Sequence, residues 1–339
     1  MGVKLAPLLS DFGESVGLAY LEGKKLAIDS YPTLYQMLAT IRDNRGRPLQ
    51  DSKGRTTSHL VGLFNRTAKM ISKGIRPIFI FDGPPYVLKK KEVEKRTERR
   101  EKAEEKYQQA LKEGKIEAAK KYAQQAIRVE ENIEESAKEL LHLLGVPVIT
   151  APHDAEAQAS YMTKKGMCFG VVSPDYDAFL FGSPKVIRNL RMVRTVKPTV
   201  FDLQNIVAGL AISHSQLIDV ALLLGTDFND GVKGIGPKRA LKLVKKYSNL
   251  QEILSKKEVE WPSSSPPPQE IITYFQNPPV KEEVEIEFGE IDREEVFTFL
   301  VEERDFSRER VEKRLNEIEE QKKKEEKRGV QASLDKFTP

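Results

Sequence analysis

Short apolar runs alternate with segments of helical periodicity along most of the chain. "KKLAID" reads as a strand ending at Asp29, after which Leu34, Met37, Leu38 and Ile41 recur at helical spacing. "DSKGRTTSHLVGLFNRTAKMISKG" predicts a turn, an N-cap at Thr57 or Ser58, and an amphipathic helix. "IRPIFIFDGPP" is a second strand that ends at Asp82 and closes with a Gly-Pro turn. "LLGVPVIT" and "MCFGVVS" are a third and a fourth. Residues 87 to 143 lack proline and read as helical, with a break at Gly114. "VIRNLRMV" and "PTVFDLQNIV" predict edge strands and another helix start. "SQLIDVALLLGTDFNDGVKGIGPKRALKLVKKY" predicts helix, hairpin, helix. "WPSSSPPPQE" is an irregular connector, followed by helix to about Lys327 and a short tail. Strand alternating with helix implies an α/β fold, a central mostly parallel sheet flanked by helices.

Composition narrows this picture. The 339 residues are 39% hydrophobic, enough for a large core and two or so domains. Net charge is only +4 although 31% of residues are charged, so nucleic-acid binding would have to rest on local patches. One such patch is Lys89 to Arg128, with fourteen basic and eight acidic residues. The single cysteine, Cys168, lies in an apolar stretch and predicts a buried thiol, with no disulfide framework and no cysteine-rich zinc site. No apolar run reaches membrane-spanning length, and "MGVKLAPLL" fits neither a signal peptide nor a myristoylation site. A soluble, intracellular protein is expected.

Acidic residues fall just beyond the strands. They are Asp29, Asp82, Asp154 with Glu156, and Asp175 with Asp177; Asp227 follows an apolar helix. In parallel sheets, ligands gather beyond the carboxyl ends of strands. One such aspartate alone is most often a turn former or N-cap. Seven facing one crevice could not all ionise without cations. Mg²⁺ suits an all-oxygen site. Two such ions, about 3.5–4 Å apart, can activate water against a phosphodiester and stabilise the leaving oxygen. The histidines, His59, His142, His153 and His214, are too scattered for a competing site.

Basic features accompany this centre. "GVKGIGPKRALKLV" places Gly234 and Gly236 between two helices, with Lys233, Lys238 and Arg239 beside them. Glycines and a free helix N-terminus suit sequence-independent phosphate binding. Lys89, Arg96, Arg99 and Arg100 recur at helical spacing and suit a wall that guides a strand. Tyr35 fits either the core or a base-stacking role. Gln331, Leu334 and Phe337 would share one face of a 3₁₀ turn, or else belong to a disordered end.

With "LAIDSYPTLYQ", "GRTTSHLVGLF", "FIFDGPP", "APHDAEAQASYM", "SPDYDAFLFG", "LLGTDFNDGVKGIGPKRAL" and "DFSRERV", the chain resembles the flap endonucleases, structure-specific 5′-nucleases, of the archaeal branch. The resemblance spans nearly the whole chain. It implies a PIN-like 5′-nuclease fold, with a nuclease region at 1–100, a helical arch from about Lys89 to Arg128, and the arch continuation and linker to the core at 101–139. It further implies an internal nuclease region at 140–225, a helix-hairpin-helix at 226–260, C-terminal helices at 261–327 and a flexible tail at 328–339. It assigns Asp29, Asp82, Asp154 and Glu156 to one Mg²⁺ and Asp175, Asp177 and Asp227 to a second, with Glu156 shared and Mn²⁺ as a substitute. Lys89 and Arg96 become catalytic contacts to the scissile phosphate. Tyr35, Arg42, Arg99, Arg100 and Glu156 join the DNA-binding set, and Gly2 packs near the active site. The hairpin would hold the downstream duplex together with K⁺, and the tail would bind a PCNA-type sliding clamp. The implied activity is cutting near the base of 5′ flaps, with 5′–3′ exonuclease action, in Okazaki fragment maturation and base excision repair. The implied setting is a cytoplasmic, nucleoid-associated monomer. A catalytically silent DNA-structure binder and a nuclease for bubble or four-way-junction DNA are the alternatives. The chain departs from the pattern at Asp154, where Glu is usual, and at Pro174. The loop after "RNLRMV" is also shorter, and Thr338 stands for an aromatic, which predicts weaker clamp binding.

Overall fold

In the computed structural model, seven strands form one sheet: β1 Glu14–Ser15, β2 Lys25–Asp29, β3 Arg76–Phe81, β4 Val148–Thr150, β5 Gly170–Val172, β6 Lys185–Arg188 and β7 Thr199–Asp202. The structure describes all residues except 1, 2, 44, 45, 114, 128, 130, 194 and 336–339. The strand order is β1-β7-β6-β5-β2-β3-β4. The pairings β2–β3, β2–β5, β3–β4 and β5–β6 are parallel, and β6–β7 and β1–β7 are antiparallel. The mostly parallel sheet is thus present. The two expected edge strands are not at an edge, because β6 lies between β5 and β7, and β7 is covered by β1. β1 is two exposed residues, too short to leave a periodic signature in the sequence.

Alternation along the central strands builds two cores. Ile78 and Ile80 of β3 face one side with Ala27 and Val171. Phe79 and Phe81 face the other with Leu26 and Ile28. Successive side chains on a strand point to opposite faces, so a continuous apolar run serves both. The first face is packed by helices Ala155–Lys164, His214–Leu224, Pro237–Tyr247 and Pro268–Gln276. The second is packed by Ser58–Ile71, Glu131–Leu143 and Arg308–Asp335. Thr57 is the N-cap of Ser58–Ile71 but makes no side-chain cap bond. Instead the Ser58 hydroxyl donates to the Ile41 carbonyl at 2.6 Å and accepts the Leu49 amide at 2.8 Å.

Helices Lys90–Lys112 and Ile116–Gln125 pack on each other and form the expected arch; the predicted break at Gly114 lies outside the described residues. The first carries few apolar positions, and among its described side chains Ala103 and Ala110 are the buried apolar ones. The last helix runs on to Asp335, past the Lys327 expected from sequence. Cys168 is buried, and burial pushes its thiol up to about 12. Among the described residues, no single helix is long and apolar enough to cross a membrane.

Candidate active site

The sheet carries its acidic residues to one end. β2 finishes in Asp29 and β3 runs directly into Asp82. Asp154 is the N-cap of helix Ala155–Lys164, with Glu156 in its first turn. β5 leads through Ser173 to Asp175 and to Asp177, which opens a short 3₁₀ turn. Asp227 follows helix His214–Leu224. All seven carboxylates line one cavity of about 380 Å³. Close packing of the loops fixes them. Asp82 Oδ1 accepts the Ala155 amide at 2.7 Å, and the Gly83 amide donates to the His153 carbonyl at 2.8 Å. A Cβ on Gly83 would lie 2.4 Å from the Ala151 carbonyl oxygen, so only glycine lets these two loops meet. His153 Nδ1 lies 2.7 Å from the Pro84 carbonyl oxygen, which ties its ring to the Asp82 loop.

Burial makes this cluster electrostatically costly. It raises the Asp29 and Glu156 carboxyls well above the ordinary range, and like charges on Asp82 and Asp177, respectively, add to that. Asp82 is pushed up to about 6, chiefly by burial, and Asp177 to about 7 by burial and then by Asp227 and Asp175. Asp29 Oδ1 is buried with no hydrogen-bond partner. Carboxylate oxygens aimed into a shared cavity, one of them orphaned, are a donor set suited to hard divalent cations. In the present rotamers, no three His, Cys, Asp or Glu side chains among the described residues are arranged to hold a metal ion. Cations of the arch contact some of those carboxylates instead.

The shifts set the pH behaviour of the metal-free protein. The folded state keeps protons on these groups where the unfolded chain, with carboxyl pKa values near about 4, has released them. Their contribution to stability is therefore present at low pH and is lost as pH rises from about 4 through about 6 to 7. Asp177→Asn is expected to raise the Tm in EDTA by about 3 °C at pH 8, with the gain shrinking towards pH 5. Calorimetry across that range checks it; an offset independent of pH would contradict it.

Lys89, which ends the 3₁₀ turn Val87–Lys89 leading into the arch, and Arg96 of helix Lys90–Lys112 reach into the cavity. The Lys89 ammonium donates to Asp154 Oδ1, and Arg96 Nη2 to Asp227 Oδ2. Arg96 Nε also holds Glu92 at 3.1 Å. Although burial opposes it, the carboxylates of Asp154 and Asp82 hold the Lys89 ammonium well above its ordinary pKa. Arg99 and Arg100 line the same cavity, and Arg100 donates to the Tyr35 hydroxyl at 2.6 Å. Tyr35 thus faces the cavity, not the core. Arg42 is not brought there: it bonds the carbonyls of Leu38, Gly46 and Ala123, at 3.0, 2.7 and 3.3 Å.

The hairpin follows Asp227 by a few residues in the chain. Gly234 has φ +77°, and Gly236 is the N-cap of Pro237–Tyr247. A Cβ on Gly236 would meet nothing within 4 Å, and its φ of −98° requires no glycine. The space over its backbone is open to an approaching ligand. Lys233, Lys238 and Arg239 are exposed around it. Gln331 and Leu334 fall in the last helix, and Phe337, Thr338 and Gly2 lie outside the described residues.

Three residues that contact the site carboxylates were not read from the sequence. Ser173 donates to Glu156 Oε1 at 2.6 Å and accepts the Asp175 amide at 3.2 Å. The Val3 amide donates to Asp177 Oδ1 at 2.9 Å. The Tyr274 hydroxyl donates to Asp154 Oδ2. A serine immediately after a strand and beside an acidic pair was a usable signal. For Tyr274, 120 residues from Asp154, nothing local marks the contact.

Comparison with known proteins agrees with this geometry. Residues 1–103 match the XPG N-terminal domain and residues 145–227 the XPG I-region. Flap endonuclease 1 of Archaeoglobus fulgidus is 44% identical over 335 residues, covering 96% of each chain. The structure of flap endonuclease-1 from Methanococcus jannaschii matches with a TM-score of 0.75 at 40% identity, covering 94% of this chain and 98% of that one. The catalytic core of Rad2 in complex with DNA substrate shares the fold, with a TM-score of 0.75 at 24% identity over 94% of this chain and 100% of that one. Homology over nearly the full length places this chain in the flap endonuclease family of XPG-type, metal-dependent structure-specific nucleases.

Proposed function

We propose that this protein is a Mg²⁺-dependent 5′ flap endonuclease with 5′–3′ exonuclease activity, acting in Okazaki fragment maturation and base excision repair. The observation that carries the reading is the convergence of seven carboxylates in one cavity beneath a basic arch. Asp29, Asp82, Asp154 and Glu156 would hold one divalent ion, and Asp175, Asp177 and Asp227 the second, with Glu156 between them. When bound, the pair supplies activation of the attacking water and neutralisation of the leaving oxygen. Lys89 and Arg96 would leave Asp154 and Asp227 and pair with the scissile phosphate. Tyr35 offers a ring face to the adjacent base, and Arg99 and Arg100 guide the strand. The backbone at Gly234 and Gly236, with Lys233, Lys238 and Arg239, grips the downstream duplex through phosphates, with a K⁺ ion at the turn. Arg42 would act on DNA only after releasing its carbonyl partners. Gln331, Leu334 and Phe337 form a clamp-binding tail weakened by Thr338. The protein would act as a cytoplasmic, nucleoid-associated monomer.

A substrate panel tests the reading. Purified protein with Mg²⁺ is expected to cut 5′-flap DNA fastest, cut nicked duplex more slowly, and cut neither in EDTA. Absence of cleavage on any substrate would favour a silent DNA-structure binder. Preference for bubble or four-way-junction DNA would move the protein to another nuclease class.

A further inference from the structure

Tyr274 belongs to helix Pro268–Gln276, far in sequence from every carboxylate, yet it ends at the active site. Its side chain is buried, with 3% of the residue exposed. Its ring stacks on Tyr86 with centroids 4.3 Å apart and planes at 26°, and meets Phe228 edge-on at 4.9 Å. Tyr86 lies in the turn after Asp82, and Phe228 directly follows Asp227. The hydroxyl donates to Asp154 Oδ2. One ring therefore underlies three of the acidic loops.

The two oxygens of Asp154 have different partners. Oδ1 takes the Lys89 ammonium and Oδ2 takes the Tyr274 hydroxyl. Lys89 comes from the 3₁₀ turn that leads into the arch, whereas Tyr274 is held by its stack. An aspartate carboxylate turns about two side-chain torsions. With Oδ2 anchored, Oδ1 is held towards the cavity whether Lys89 stays or leaves. Hydrogen-bonded partners behind a ligating carboxylate fix its orientation and affinity.

We propose that Tyr274 is a positioning residue for the metal centre, whose hydroxyl holds Asp154 so that Oδ1 faces the cation. This deepens the metal-site reading above and rests on it. Asp154 is the shortest acid that could serve there, and the hydroxyl anchors it where a longer side chain could reach the cavity unaided. The inference therefore predicts a specific rescue. Removing the hydroxyl should be harmful with Asp at 154 and nearly harmless with Glu.

Tyr274→Phe keeps the ring, the stack and the burial. Binding of Mn²⁺ to the intact protein, followed by electron paramagnetic resonance of the free ion, is expected to weaken about tenfold or more in this variant. The Mg²⁺ concentration for half-maximal flap cleavage should rise by a similar factor, with Tm in EDTA within a degree or two of wild type. The double variant Tyr274→Phe/Asp154→Glu should regain most of the Mn²⁺ affinity. Wild-type Mn²⁺ affinity in Tyr274→Phe, or an equal loss in the double variant, would overturn the proposal. Failure of the wild-type protein itself to bind Mn²⁺ would instead overturn the underlying metal-site reading.

Discussion

Asp175→Ala and Asp177→Ala should each abolish cleavage while binding of flap DNA persists. Both residues sit past the end of β5, in a turn, where strand alternation no longer sends them to opposite faces. Asp177 is anchored by the Val3 amide, and Asp175 by the hydroxyl of Ser173, which also holds Glu156. The apolar "AFLF" behind them is buried, so the pair cannot retreat from the cavity. Loss of one ligand from a two-ion site removes several kcal/mol of transition-state stabilisation, or about a thousandfold in rate at 1.36 kcal/mol per decade. Binding should survive because duplex affinity comes from phosphates gripped by cations, and loss of an anion does not weaken that. Single-turnover cleavage at saturating Mg²⁺, paired with a filter-binding isotherm in EDTA, measures both. Asp177→Asn is the companion variant, since its amide oxygen can still accept from Val3. Cleavage within tenfold of wild type in either alanine variant would remove these residues from the ligand set.

Much of this site was legible because a parallel sheet converts sequence position into spatial position. β2 ends in acid, β3 is followed at once by acid and β5 reaches acid three residues on, and parallel pairing brings those ends together. Asp29, Asp82, Asp175 and Asp177 were thus nearly fixed once the strands were recognised. Elsewhere the signal was absent for physical reasons. β1 shows no alternation because two exposed residues cannot show any, and without it β7 reads as an edge. Tyr274 reads as an ordinary core aromatic of an amphipathic helix, and its hydroxyl gains meaning only when tertiary packing places it beneath Asp154. The arch cations were legible as charge but not as pairs. Helical spacing put Lys89 and Arg96 on one face without saying which carboxylates they would meet.

Those pairs lead to the second large effect. Lys89→Ala and Arg96→Ala are expected to slow single-turnover cleavage by about a hundredfold to a thousandfold, the range for losing one cationic or hydrogen-bonding contact to a developing oxyanion. Duplex binding should change far less. A charge on the solvated outside of a helix would be screened and nearly neutral to replace. Neither residue is in that position: the Lys89 side chain is 23% exposed and that of Arg96 36%, and both project among carboxylates. Their positive charge offsets acid where divalent ions would otherwise do so. Were such ions bound, the carboxylates would have stronger partners, and both cations would be free to meet the phosphate. The same substitutions should therefore lower Tm in EDTA, because Asp154 and Asp227 lose their counter-charges, while Mg²⁺ should narrow the deficit. A solvated-face role predicts the reverse pattern: unchanged single-turnover rates, unchanged Tm in EDTA, and a loss confined to binding at low salt.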